Sequence, residues 1–239
     1  MRKKIVVFSG AGISVESGVE AFRSGGGALW ANHNVEDVAT PQAWKRNPQA
    51  VTQFYNDRRL QLATVEPNAA HEALAALEAQ YEVEVVTQNV DDLHERGGST
   101  IVHHLHGELL KVRSAADPNE IYDWGTKPVD YEADRGNNNA RLRPHIVWFG
   151  EMPDKSAVHN AYQAIQDCDI LLIIGTSLQI TYTLPMLKNA SLSAEVYYID
   201  PNPAHYLDAY GMRGEMPHIT YIRKGAVEGV TEVVNKLIK

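Results

Sequence analysis

Short apolar runs alternate with amphipathic stretches along most of this chain, and no other feature narrows its fold as much. The runs are Ile5 to Phe8, Val83 to Val86, Ile101 to Leu105, Ile170 to Ile174 and Val196 to Ile199. Brief buried strands separated by helical segments are the signature of a parallel sheet covered by helices. In NPQAVTQFYNDRRLQL, Asn47 suits a helix cap and Pro48 the first helical turn. Val51, Phe54, Tyr55, Arg58 and Leu62 then fall on one face. NAAHEALAALEAQY repeats Ala70, Leu74, Leu77 and Tyr81 at helical spacing, and a last helix is predicted near Val227 to Ile238. Two stretches break the alternation: Ser24 to Leu62, a glycine-rich loop followed by helix, and Ser114 to Arg141, polar and containing GNNNAR. The expected fold is therefore α/β, a doubly wound parallel Rossmann-like sheet with a small lobe formed by two insertions. The Rossmann-like part would cover about 1–23, 68–112 and 142–239, and the lobe about 24–67 and 113–141, within one domain of 239 residues.

Charge and cysteine content exclude several functions. The net charge of -8, with no dense Lys/Arg cluster, argues against nucleic-acid binding, which needs a basic face. The longest apolar run, Ile170 to Gly175, is far too short to span a membrane. MRKKIVVFSG runs from its basic residues straight into a glycine motif, so it is read as a first strand rather than a signal peptide. A cytoplasmic protein, without membrane or nucleic-acid partners, is expected. The single cysteine, Cys168, rules out an intrachain disulfide and a zinc site of several thiolates. Its place at the mouth of a buried strand suits packing better than reactivity.

Five segments could carry chemistry. VVFSGAGISVESGVEAFR takes a strand into Gly10-Ala11-Gly12, with a helix expected after Ser14. Glycines there let the backbone approach a pyrophosphate, although a plain tight turn accounts for the same pattern. VVTQNVDDLHERGG ends a strand in Thr87-Gln88-Asn89 with Asp91 beyond, where side chains face a ligand crevice or cap the next helix. IVHHLHGELLKVR holds three histidines. Alternation sets His104 and His106 on one face and His103 on the other, and a strand-end His106 before Gly107 suits a general base better than a metal ligand, although a lone histidine is more often structural. LRPHIVWFGE offers either an edge for an extended peptide or an ordinary buried strand. Gly175-Thr176-Ser177 and Asp200 stand at later strand ends, where small hydroxyls suit phosphate or adenosine and an Asp suits a ribose.

In this order GAGISVESGVEAFR, TQNVDDLHERGG, HLHGELLKV, LRPHIVWFGE and GTS resemble the sirtuin family along nearly the whole chain. The resemblance implies an NAD-dependent protein lysine deacylase acting on acylated-lysine proteins as a monomer. Gly10, Ala11, Gly12, Ile13 and Ser14, with Phe22, Arg23 and Trp30, would form the cofactor loop. Gln88, Asn89 and Asp91 would hold the nicotinamide ribose and the nicotinamide pocket, and His106 would be the general base on a ribose hydroxyl. Val147, Trp148, Phe149 and Gly150 would pair with the substrate backbone and line the acyl-lysine tunnel. Gly175, Thr176, Ser177, Asp200 and Ala226 would contact the adenosine half. In the implied reaction the acyl oxygen attacks the anomeric carbon of NAD and expels nicotinamide, and His106 helps a ribose hydroxyl take over the acyl group as O-acyl-ADP-ribose. Such chemistry needs a dry tunnel and a positioned base.

Tyr55 and Arg58 refine the implied substrate. Three residues apart, they share a helix face. In the family branch that removes acidic acyl groups, a Tyr-x-x-Arg at this place binds the distal carboxylate, which implies succinyl- and malonyl-lysine, with acetyl-lysine also accepted. The chain departs from the family between His106 and LRPHIVWFGE, where most members hold zinc with four cysteines. Here there is none: Ser114 stands where the first thiolate is expected, and GNNNAR near the second pair. Asp117, Asp123, Asp130, Glu132 and Asp134 read as a solvated surface. No structural metal is expected, and the lobe should rest on packing around Tyr122, Trp124 and Tyr131. Ser24 replaces a usual Asp, and Asp200 a usual Asn. Two alternatives are an NAD glycohydrolase or ADP-ribosyltransferase, disfavoured by the intact peptide segment, and a non-catalytic NAD-binding module, disfavoured by Asn89, Asp91 and His106.

Overall fold

A computed structural model of the chain describes residues 2–19, 34–137, 139–180, 182–204, 207 and 216–238. Nine strands are described: β1 Lys4–Ser9, β2 Glu82–Thr87, β3 Val102–His104, β4 Gly107–Ser114, β5 Ile121–Asp123, β6 Leu142–Ile146, β7 Ile170–Ile174, β8 Glu195–Ile199 and β9 Ile219–Ile222. Six of them form a sheet in the order β3-β2-β1-β7-β8-β9, and every pairing in it is parallel. All five strands expected from sequence are present in it.

Strand alternation explains the two cores. Val6, Phe8, Leu171 and Ile173 point to one face, and Ile5, Val7, Leu172 and Ile174 to the other. The first face is covered by α6 (Lys155–Gln166) through Ala161, Ala164 and Ile165. The second is covered by α4 (Ala69–Ala76) through Ala70 and Leu74, and by the C-terminal helix α8 (Ala226–Leu237) through Val230 and Val233. Side-chain caps set the helix starts. Asn47 Oδ1 accepts from Ala50 N at 3.1 Å and Pro48 opens α3 (Pro48–Leu62), as the sequence predicts. Asp154 caps α6 in the same way.

The expected helix after Ser14 is replaced, among the described residues, by two 3-10 turns, Ala11–Ile13 and Val15–Ser17. The reason is local: Gly18 takes φ 92, a left-handed conformation that ends the second turn. On α3 the sequence reading places Arg58 on the apolar face, yet the fully buried cation is its neighbour Arg59. Arg58 is half-buried.

The second insertion is more ordered than an irregular module. β4, β5 and β6 form an antiparallel sheet in the order β5-β4-β6. Its strands reach past the expected lobe bounds of 113 and 141 on both sides, so Gly107 and Ile146 pair within it. LRPHI therefore lies in the small sheet, whereas the sequence reading joined 142 onward to the larger part. Val112, Val129 and Leu142 form a small core with Tyr122 and Trp124 against it. Tyr131 packs edge-on to Trp44 and beneath the Arg141 guanidinium. Ser114, at the expected thiolate position, is buried, and its Oγ accepts from Ala116 N and Asp117 N.

Asn56 of α3 ties the lobe down. Its amide donates to Val129 O at 2.9 Å and accepts from Val129 N at 2.8 Å, pairing a buried loop residue as another strand would. Asn56→Ala would strand both backbone groups. We expect it to lower the unfolding free energy by about 2–4 kcal/mol, read as a shift in urea midpoint. An unchanged midpoint would show that the lobe does not depend on this pair.

Candidate active site

Strand β1 sits mid-sheet with the chain leaving toward β2 on one side and β7 on the other. In doubly wound sheets such a switch point opens a crevice at the carboxyl ends of the strands, where dinucleotides bind. The loops after β1 and β7 meet there backbone to backbone. Gly10 N donates to Ile174 O at 3.0 Å and Gly12 N to Gly175 O at 2.8 Å. A Cβ on Gly12 would lie 2.6 Å from Gly175 Cα, and Gly175 takes φ +59 with Ile13 N 2.5 Å from where its own Cβ would be. Only glycines allow this seam.

The segment after β2 supplies the polar lining. Gln88 N donates to Ser9 O, and its side chain donates to Thr176 Oγ1 at 2.8 Å. Asn89 Nδ2 donates to Ser14 Oγ at 3.2 Å, and Ser14 Oγ donates to Asp91 Oδ2 at 3.1 Å. Leu93 N donates to Asp91 Oδ1. Burial pushes the Asp91 carboxyl up to about 6, against the lowering effect of those donors and of His104. Asn89, Ser14 and Asp91 are thus one oriented chain of donors ending on a buried acid.

His106 follows β3. Its Nδ1 lies 2.8 Å from Gln88 O, which can only accept, so Nδ1 carries the proton and Nε2 the lone pair. Tyr182 OH lies 2.6 Å from Nε2 and therefore donates to it. Burial lowers the His106 pKa, and the bond to Gln88 only partly offsets this. His106 is thus a neutral, oriented imidazole whose acceptor nitrogen is taken by the Tyr182 hydroxyl.

Beyond His106 runs Val147 to Gly150. Val147 N donates to His106 O, and Phe149 N donates to Ala39 O. Trp148 Nε1 donates to Tyr55 OH at 3.0 Å, and the Arg143 guanidinium lies 3.4 Å over the Trp148 ring. Glu151 accepts from Trp148 N, Arg143 and Arg113. Tyr55 therefore stands against Trp148, while Arg58 lies one turn further along the helix. Burial raises the Tyr55 pKa, so its hydroxyl stays protonated. Arg58 lies over the Phe54 ring at 5.0 Å, and its buried Nε has no hydrogen-bond partner.

At the far end, Thr176 and Ser177 follow β7, Asp200 follows β8, and Ala226 begins α8. Asp200 accepts from Asn202 N, and burial raises its pKa. Phe22, Arg23, Ser24 and Trp30 lie outside the described residues. Tyr182, Arg143, Glu151 and Glu16, whose carboxylate accepts from Val227 N at the start of α8, were not singled out from sequence. Arg143 and Glu151 lie within LRPHIVWFGE and Glu16 within GAGISVESGVEAFR, whereas Tyr182 lies in no motif.

Residues 10–182 match the Sir2 family model. The chain belongs to the Sir2 family. A Helicobacter pylori protein named NAD-dependent protein deacylase is 45% identical over 99% of this chain and 96% of its own length. A Bacteroides thetaiotaomicron protein of the same name is 47% identical over 99% and 98%. A Sir2 homologue solved with ADP ribose superposes with a TM-score of 0.85 at 31% identity, covering 99% of this chain and 92% of that one. A Sir2 homologue solved with NAD gives 0.82 at 31% identity over 99% and 90%. In this sirtuin the glycine seam and the donor chain stand together at the switch point of the sheet. No helix among its described residues is long and apolar enough to cross a membrane.

Below the crevice lies a buried polar layer. Ser9 Oγ donates to Thr87 Oγ1 and meets His94 Nε2 at 2.8 Å, and His94 packs edge-on against His71. Burial pushes His71 down to about 4 and His94 well below its ordinary value. Both stay neutral when folded but charge near pH 6.5 when unfolded. Their stabilisation is complete above about pH 6.5 and is lost as pH falls toward 4. His71→Gln should lose about 2 kcal/mol less than wild type between pH 7.5 and pH 5 in urea unfolding. Equal losses would clear His71 of this role.

Proposed function

We propose that this sirtuin is an NAD-dependent protein lysine deacylase that prefers succinyl- and malonyl-lysine and also accepts acetyl-lysine. The observation that carries the reading is His106, a neutral base held by Gln88 O, one strand end from the Asn89–Ser14–Asp91 chain and joined through its own carbonyl to Val147. NAD supplies an anomeric carbon from which nicotinamide departs. Gly10 to Ser14 and Gly175 to Ser177 would hold its phosphates and adenosine, with Asp200 and Ala226 beyond. Asn89 and Asp91 would orient the nicotinamide ribose. His106 Nε2 would take a ribose hydroxyl proton as that oxygen receives the acyl group. Val147 to Gly150 would pair with the peptide, and Trp148 would wall the tunnel against water.

Tyr55 and Arg58 support the acidic-acyl preference. The Tyr55 hydroxyl accepts from Trp148 and keeps its own proton to donate, and Arg58 stands one helical turn away with an unpartnered Nε. Arg58→Met should cut kcat/KM for succinyl-lysine peptide by about 10- to 100-fold and change acetyl-lysine turnover little, read by mass spectrometry. An unchanged succinyl-to-acetyl ratio would sink the assignment. NAD cleavage without deacylation would favour a glycohydrolase.

Two further outcomes bear on this reading. Tyr182 holds the nitrogen that a ribose hydroxyl must reach, so Tyr182→Phe should tighten NAD binding by about 2- to 10-fold in calorimetric titration. No change would mean that the phenol is not displaced. We also propose that the lobe folds without zinc. The only cysteine, Cys168, lies outside the lobe, and the Asn56–Val129 pair and the Val112 core hold it instead. A chelator should leave both melting temperature and turnover unaltered.

A further inference from the structure

His106 has a twin. His104, two residues earlier, sets its Nδ1 3.0 Å from Asn89 O, just as His106 sets its own against Gln88 O. Two histidines thus clasp two consecutive peptide carbonyls of the segment after β2. The rings differ in what lies behind Nε2. His106 meets the Tyr182 hydroxyl, whereas His104 Nε2 lies 2.7 Å from Glu95 Oε1 on α5 (Leu93–Arg96).

Proton counting follows from the acceptors. A carbonyl oxygen cannot donate, so His104 Nδ1 bears a proton. An ionised carboxylate cannot donate either, so Nε2 bears one too. The dyad therefore holds a proton more than His106 does, as an imidazolium against a carboxylate. The ring is almost wholly enclosed, with 8% of its side chain accessible. We infer that His104, held as a cation by Glu95, is a positioning residue that fixes the Asn89 carbonyl and so aims Asn89 and Asp91 at the nicotinamide ribose. This rests on the proposal that Gln88 to Asp91 line the NAD site.

The surrounding charges agree. Burial opposes a charge on His104, but the hydrogen bond and charge of Glu95, the Asn89 carbonyl and Glu108 of β4 outweigh it and raise the pKa. Burial likewise works against the Glu95 carboxylate, and His104 and Lys111 pull its pKa below the ordinary value. Asp91 and the neutral His94 also feel the His104 charge, which lowers the pKa of both. Since the His104 pKa is raised, the clasp is complete below about pH 6.5 and is lost as pH rises through the folded value. Without that cation, the Asp91 carboxyl would titrate higher and the acid limb of kcat/KM would move up in pH.

Four single variants test this with NAD titration calorimetry, a pH profile of kcat/KM and thermal melting. Glu95→Gln keeps a hydrogen-bonding group beside Nε2 and removes only the charge that holds the imidazolium. We expect it to weaken NAD binding about tenfold near pH 6.5, with the difference from wild type shrinking as pH rises through the folded value of His104, and the neutral His104→Gln to weaken binding as much at pH 6.5. His104→Gln should also raise the acid limb. His103→Gln, whose ring pairs with Glu84 on the other face, should alter none of these. Wild-type NAD affinity and pH profile in Glu95→Gln would overturn the inference, whatever its melting temperature. His106→Ala separates the two readings: if it still deacylates, the base assignment fails while the NAD titrations of the dyad variants stand.

Discussion

The seam between the loops after β1 and β7 is the constraint on which the rest of this molecule depends. Gly12 and Gly175 meet with their backbones at a distance that a single Cβ on either would make impossible. Because they meet, the carboxyl ends of the central strands lie level, and the side chains that follow each strand converge. Gln88 bridges from β2 to Thr176 after β7, and Ser14 bridges from the first loop to Asp91. Two 3-10 turns follow the first loop, the second ended by Gly18 in the left-handed conformation. The crevice is thus a consequence of glycine placement before any functional side chain is considered.

Electrostatics then separate residues that look alike in sequence. His71, His94, His104 and His106 are all buried or nearly so, yet their surroundings divide them by what faces each ring nitrogen. His94 meets a serine hydroxyl, and His71 leaves one nitrogen with no partner, so desolvation keeps both neutral. His106 has one carbonyl and one phenol, which leaves an acceptor nitrogen at the crevice. Only His104 faces acceptors on both sides. A base and a cation two residues apart therefore need no difference in residue type, only a carboxylate one helix away.

These features set how far the sequence could be read. β1, β7 and β8 were legible because both faces of the sheet are covered there, so they read as near-continuous apolar runs, while β2 and β3 were legible from their flanking apolar residues despite Glu84, His103 and His104. Asn47 and Pro48 were legible because capping is local. The alternation argument placed His104 and His106 on one face, and they do reach the same segment. What escaped was non-local. Arg59 is buried and Arg58 half-buried, a difference that helical phase alone does not resolve for neighbours. Tyr182 sits in no motif, and its contact with His106 joins residues far apart in the chain. LRPHI reads equally well as a strand of either sheet, and its true partner, β4, is known only once Gly107 turns the chain back with φ +82.

The small lobe shows how one anchor can serve two ends of a site. Arg143 stacks on Trp148 and pairs with Glu151, and Glu151 in turn holds Trp148 N and Arg113. Trp148 donates to Tyr55 on α3, while Asn56, the next residue on α3, grips Val129 in the lobe. The wall of the proposed acyl tunnel and the seat of the lobe are therefore adjacent residues of one helix. A change that loosens the lobe at Asn56 must also move Tyr55, because a helix turn is stiffer than the hydrogen bonds that radiate from it. On the proposed function, lobe stability and acyl selectivity are thus coupled through α3, and in a lobe without cysteine that coupling would take over the fastening that thiolates could otherwise supply.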